Sequence, residues 1–182
     1  MHADDSVEFS RPLPLDRISS TLHREEISAT DKERAALAER FGLVSLGSLA
    51  ASFALKRVRK DLVRVKGRIS ADLVQACVVT LDPVPAHIDE RFEVDFMEGE
   101  QPAVADLELD AETADAPEPA PDGWVDLGEL AAEQLGLAID PYPRKPDAEV
   151  PAEWKPEPAQ EPAAVERPNP FAILEKLKTS KG

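Results

Sequence analysis

From residue 45 to 97 apolar and polar side chains alternate with a period of two, and this limits the chain more than any other feature. Leu49, Ala51, Phe53 and Leu55 fall on one side of the first run. Val63, Val65, Gly67, Ile69, Ala71 and Leu73 share one side of the second, with Arg64, Lys66, Arg68, Ser70 and Asp72 opposite. In the third, Ile88, Phe92, Val94 and Phe96 oppose His87, Asp89, Arg91, Glu93 and Asp95. Successive residues of a strand point to opposite faces, so this pattern specifies half-buried antiparallel strands. Turns near "RKD" and at "LDPVP" join the three runs into a meander.

Helical signals flank the sheet. In "TDKERAALAERFG" Thr30 is placed to cap and Glu33 to complete a capping box, while Gly42 suits the left-handed position after the last turn. "DLGELAAEQLGLAID" is capped by Asp126, with Glu129 at the capping-box position. Its stripe of Leu127, Leu130, Ala131, Leu135 and Ala138 can cover a sheet. The expected fold is α+β: a curved antiparallel sheet, open or a partial barrel, covered by two or three helices. Trp124 is expected to anchor the start of the second helix.

Charge divides the chain. Residues 1–88 carry 13 basic and 12 acidic side chains, 89–166 carry 4 and 23, and 167–182 carry 4 and 1. The balances of +1, −19 and +3 make up the net −15. The expected organisation is one domain over 1–140 with an acidic flexible insertion at 98–123, bearing a short strand at "VADLEL". A Pro-rich linker over 141–168 and a short helix over 169–182, capped by Asn169 with Pro170 at its first position, would follow. "MHADDSVEFS" lacks the basic residues and apolar run of a secretory signal, and "FGLVSLGSLAASFAL" is shorter than the roughly 20 residues that span a bilayer. With a single Cys no internal disulfide forms, so a cytoplasmic protein with no membrane association is expected.

Catalytic and metal chemistry find little support. Cys77 has no second Cys, and the three His at 2, 23 and 87 lack ligand spacing, so no metal site is expected. A Cys77–His87 pair is the one nucleophile–base combination the strands could assemble; the plainer expectation is a semi-buried thiol within a sheet. No phosphate loop or nucleophile elbow occurs, so no enzyme, cofactor or small-molecule substrate is expected.

The run "KRVRKDLVRVKGR" is more informative. Lys56, Arg57, Arg59, Lys60, Arg64, Lys66 and Arg68 stand against Asp61 alone, a local +6. A turn near 60–61 sets Lys56 beside Arg64 and Lys66, and like charges opposed on neighbouring strands destabilise a sheet unless an anion lies over them. Two anions qualify: the phosphate backbone of a nucleic acid, or the protein's own Glu93, Asp95 and acidic segment at 98–118. No aromatics interleave these cations, so contact would be to phosphate rather than by base stacking.

The segment "VRVKGRISADLVQACVVTLDPVPAHIDERFEVDF" resembles the core of the YceD-like family, the large ribosomal RNA subunit accumulation proteins. The likeness rests on the element from Ala71 to Val84, with Gln75, Cys77, Thr80, Leu81, Asp82 and Pro83, and on "DLGELAAEQLGLAIDPYPRKP" as a second block. Many relatives have C-x-x-C where this chain has Cys77 and Thr80, so any role needing two thiols is absent and the element is expected to be structural. The resemblance implies a non-enzymatic factor supporting accumulation of large-subunit rRNA. Its partners would be that RNA or its precursor, or, as an adaptor with acidic segments, a basic ribosomal or assembly protein.

Overall fold

The computed structural model describes residues 7–99 and 116–149. The chain divides into two compact units, 1–148 and 149–182, and every described element belongs to the first. In chain order these are strand β1 (Pro12–Pro14), a 3-10 turn (Leu15–Arg17), β2 (His23–Ser28), helix α1 (Asp31–Arg40), β3 (Ser45–Arg59), β4 (Leu62–Ala76), β5 (Pro83–Glu98), β6 (Glu118–Ala120), β7 (Trp124–Asp126) and α2 (Leu127–Ala138). The fold is α+β. Five strands form one sheet in the order β2-β3-β4-β5-β6, antiparallel except for the parallel β5–β6 pair, and β1 pairs with β7 separately. The sheet stays open and does not close into a barrel.

The three alternating runs are β3, β4 and β5, and they do pair as a meander. Their apolar sides build the core: Leu49, Phe53 and Leu55 from β3, and Val63, Val65, Ile69, Ala71 and Leu73 from β4, are each at most 3 % exposed. Leu37 of α1 and Leu127, Leu130, Ala131 and Leu135 of α2 close over them, with Phe9, Leu15 and Ile18 from the N-terminal segment. Each fully buried Leu or Ile contributes about 1.5–3 kcal/mol relative to an exposed one. On the same side, Gly67 of β4 lies directly opposite Phe92 of β5, whose ring stands end-on over the glycine and meets Phe53 edge-to-face at 6.1 Å.

The helix signals act as read. Thr30 accepts from the N–H of Glu33 while Glu33 reaches back to the Thr30 N–H, and Gly42 takes φ +64 after α1. Asp126 caps α2 by accepting from the N–H groups of Gly128 (2.9 Å) and Glu129 (3.1 Å), and the same carboxylate accepts from the Arg11 N–H (2.7 Å) beside β1. Glu129 does not complete a box; it pairs with Arg40 at 2.8 Å and so ties α2 to α1. Arg11 and Glu33 form a second such tie at 2.8 Å.

Several details differ from expectation. β2 adds a fourth antiparallel strand, and Pro12 and Pro14 are the two ends of the three-residue strand β1. Proline survives there because each strand of the β1–β7 pair has a free edge toward which a missing N–H can face. Trp124 is 54 % exposed and anchors little; Val125 beside it is the buried residue. Residues 140–145, at the start of the expected linker, lie against the β4–β5 turn. The expected strand at "VADLEL" and helix at 169–182 fall outside the described residues.

Candidate nucleic-acid interface

The sheet face away from the helices is open, and the registers place its side chains in rows. Lys56, Arg64 and Asp95 lie side by side on β3, β4 and β5. The next row holds Ala54, Lys66 and Glu93, with Arg24 of β2 beside Ala54; the third holds Ser52, Arg68 and Arg91, with Glu26 of β2. The outward column expected on β4 exists, and Lys56 does face Arg64.

That column is neutralised from within. Arg64 grips Asp95 through Nε and Nη2, both at 2.8 Å, and reaches Glu93 at 3.0 Å. Lys66 meets Glu93 at 3.0 Å. Arg68, facing Arg91, turns instead to Asp89 and holds it with two N–H groups. The guanidinium groups of Arg64 and Arg68 hold the Asp95 and Asp89 carboxyls below their ordinary range, and those carboxylates raise both arginines in return. Of the two anions the sequence offers, the internal one is realised for Arg64 and Lys66 by Glu93 and Asp95, and for Arg68 by Asp89. The need for an outside anion over these three is thereby removed. Their alignment follows from the turn: with Ala76 opposite Pro83, each outward cation of β4 receives a set neighbour on β5.

Arg57 points the other way. Its guanidinium donates to the carbonyls of Ile18 (2.9 Å), Leu15 (2.5 Å) and Lys60 (2.6 Å) and pairs with Glu98 at 2.7 Å, so it stitches the N-terminal segment to β5. Lys56, Arg59 and Lys60 remain. All three are exposed and, among the described residues, none has an ion pair, although Arg59 is close enough to Asp95 to help lower its carboxyl. They sit where β3 turns into β4. Four of the seven basic residues are thus paired within the chain, and three project at the hairpin tip. The composition of the run does not separate these groups; the sheet register does.

The element from Gln75 to Pro83 forms the opposite turn. Gln75 is 8 % exposed and donates to the Asp140 carbonyl at 2.8 Å. The Cys77 N–H donates to the Asp82 carbonyl (2.8 Å) and the Leu81 N–H to the Cys77 carbonyl (2.9 Å). Leu81 takes φ +61, a left-handed conformation that is uncommon for a bulky residue, and is 78 % exposed. Asp82 pairs with Lys145 at 3.0 Å and the Val78 N–H donates to the Pro143 carbonyl at 2.9 Å, so residues 140–145 are fastened across the turn. Thr80 accepts from the Asp82 N–H at 3.4 Å, and Pro83 opens β5 opposite Ala76.

Cys77 lies one residue beyond the end of β4 and is fully buried, rather than semi-buried within a strand. The Thr80 hydroxyl, then N–H groups of Lys145, Thr80 and Val79, face its sulfur and draw the thiol down to about 6. His87 stands opposite Asp72, on the open face, and bonds its carboxylate at 2.7 Å. The Cys77–His87 pair is therefore not assembled. No group of three side chains suited to a metal occurs among the described residues, and none of their helices is long and apolar enough to cross a membrane.

Sequence reasoning passed over two sets of residues near the tip. Arg24 and Arg91 are exposed cations with no ion pair among the described residues. Leu22 and Val58, 50 % and 48 % exposed, lie beside Lys56 on the open face. Two apolar side chains outside any alternating pattern leave no signal in the sequence.

The family described as Large ribosomal RNA subunit accumulation protein YceD matches residues 65–178, more than half of the chain. The match begins within β4, so Lys56, Arg59 and Lys60 precede it. No curated protein and no solved structure gives a significant match.

Proposed function

Because the chain belongs to the YceD family of large ribosomal RNA subunit accumulation proteins, we propose that it supports that accumulation as a non-enzymatic, cytoplasmic factor whose β3–β4 tip contacts phosphates of the rRNA or its precursor. One observation carries this reading. In a chain of net charge −15, Lys56, Arg59 and Lys60 group within five residues and make no ion pair among the described residues. Such side chains are free to displace counterions from a nucleic acid, whereas Arg64, Lys66 and Arg68 already share their charge with Asp95, Glu93 and Asp89.

Three phosphate contacts set the expected salt dependence at a log–log slope of about −2 for single strands. Binding of the full chain to a large-subunit rRNA precursor, measured across a salt series, tests this. Lys56→Glu, Arg59→Glu and Lys60→Glu together should weaken binding at least tenfold and flatten the slope, and should lower rRNA accumulation in cells. Unchanged binding and slope overturn the reading.

A second reading has its own observation. Residues 89–166 carry a balance of −19, suited to holding a basic ribosomal protein. It is favoured if the triple reversal leaves RNA binding intact while deletion of 100–115, between β5 and β6, releases a protein partner.

A further inference from the structure

Beside the tip, the open face of the sheet dips into a cavity of about 500 Å³ whose lining includes Leu22, Ala54, Lys56, Val58, Arg64 and Lys66. The volume lies within the usual range for sites that take small organic groups. Its chemistry is divided. Leu22, half-exposed Val58 and Ala54 form an apolar floor, and Lys56, Arg64 and Lys66 stand around it. Water gains nothing from such a floor, and exposed aliphatic side chains of this size are left open at a cost that a flat, weakly polar ring would offset.

The cations are unequally engaged. Arg64 and Lys66 reach their carboxylates on β5, the side away from β3, while Lys56 faces Arg64 from β3 without a partner among the described residues. An ammonium has three donors and a guanidinium five, so Lys66 keeps two N–H groups, and the Nη1 end of Arg64 carries no bond among the described residues. The donors left over therefore belong to the cavity side.

We propose that this cavity takes one unstacked nucleotide of a single-stranded RNA, its base over Leu22, Ala54 and Val58 and its phosphate held by Lys56, Lys66 and the free end of Arg64. The assignment rests on the RNA-contact reading above and narrows it. A ring joined to an anion matches the floor and the rim together. A duplex keeps its bases stacked inside and can offer only phosphates, which leaves the floor uncovered. With no aromatic side chain in the cavity, the site holds a base by apolar contact and does not select its identity.

Fluorescence anisotropy of the full chain with labelled octauridylate, a duplex RNA of equal length and uridine monophosphate as competitor tests the proposal. Octauridylate should bind at least fivefold tighter than the duplex. Leu22→Ser with Val58→Ser, both at half-exposed positions and checked for an unchanged circular dichroism spectrum, should weaken octauridylate about three- to tenfold with the salt slope unaltered. Lys56→Glu should weaken it and lower the slope by about 0.7, the share of one phosphate. The proposal is overturned if the serine pair binds octauridylate as wild type does, or if the duplex binds equally well. Uridine monophosphate binding as tightly as the octamer would also overturn it, by making a free nucleotide the ligand. If the tip triple reversal abolishes binding while the serine pair has no effect, the cavity assignment falls and the tip contact stands.

Discussion

Replacing Gly67 by alanine should strain the sheet at one defined place. An alanine Cβ would stand 2.1 Å from Cζ of Phe92 and 2.6 Å from both Cε atoms, whereas carbon atoms rest about 3.5–4.0 Å apart. The ring must withdraw, and with it goes the edge-to-face contact to Phe53. Overpacking of this kind costs about 1–3 kcal/mol, and the lost ring contact adds about 0.5–1.5 kcal/mol. Alanine recovers about 0.5–1 kcal/mol, because a glycine inside a strand gives up more backbone freedom on folding. The variant should therefore lose about 0.5–4 kcal/mol, read as a lower urea midpoint at constant slope. In a Phe92→Ala background the obstacle is absent, and Gly67→Ala should be neutral or stabilise by up to about 1 kcal/mol. A coupling well beyond the roughly 0.5 kcal/mol seen for independent sites is the signature. Equal effects in the two backgrounds would refute the reasoning.

Two further outcomes follow from the ties around the helices. The Arg11 guanidinium, aided by the cap at Thr30, holds the Glu33 carboxyl at about 2 against an ordinary 4.5; because the folded value is depressed, its contribution is complete above pH about 4.5 and fades as pH falls towards 2, so Glu33→Gln should flatten the loss of urea midpoint within that window and lower the midpoint at pH 7. Asp126→Ala removes both cap bonds of α2 and the acceptor of the Arg11 N–H; a stability loss of about 1–3 kcal/mol is expected, with Asp126→Asn, which retains a capping oxygen, losing less than half as much.

What was legible in the sequence divides along physical lines. Alternation and caps act between residues close in the chain, and they fixed the faces of β3, β4 and β5 and the ends of α1. β2 carries His23 and Glu25 toward the core side together with Ile27, so its inward row lacks a clean apolar rhythm. β1 with β7 joins segments more than a hundred residues apart, and β6 is the three-residue "EPA", so nothing local announces either. At the site, outward cations could be read off, yet their partners could not. Which carboxylates of β5 come within reach of Arg64, Lys66 and Arg68 depends on the count through the 77–82 turn, and Leu22 enters the cavity only because β2 lies against β3.

The burial of Cys77 has a use for anyone studying this chain in solution. The sulfur is sealed from solvent, yet the Thr80 hydroxyl and the N–H groups around it favour the form that reacts. Lifting residues 140–145 from the turn removes contacts that surround it, so the rate of alkylation reports how readily that segment detaches. The protein carries its own stopwatch for the detachment of that strap, with no foreign label needed.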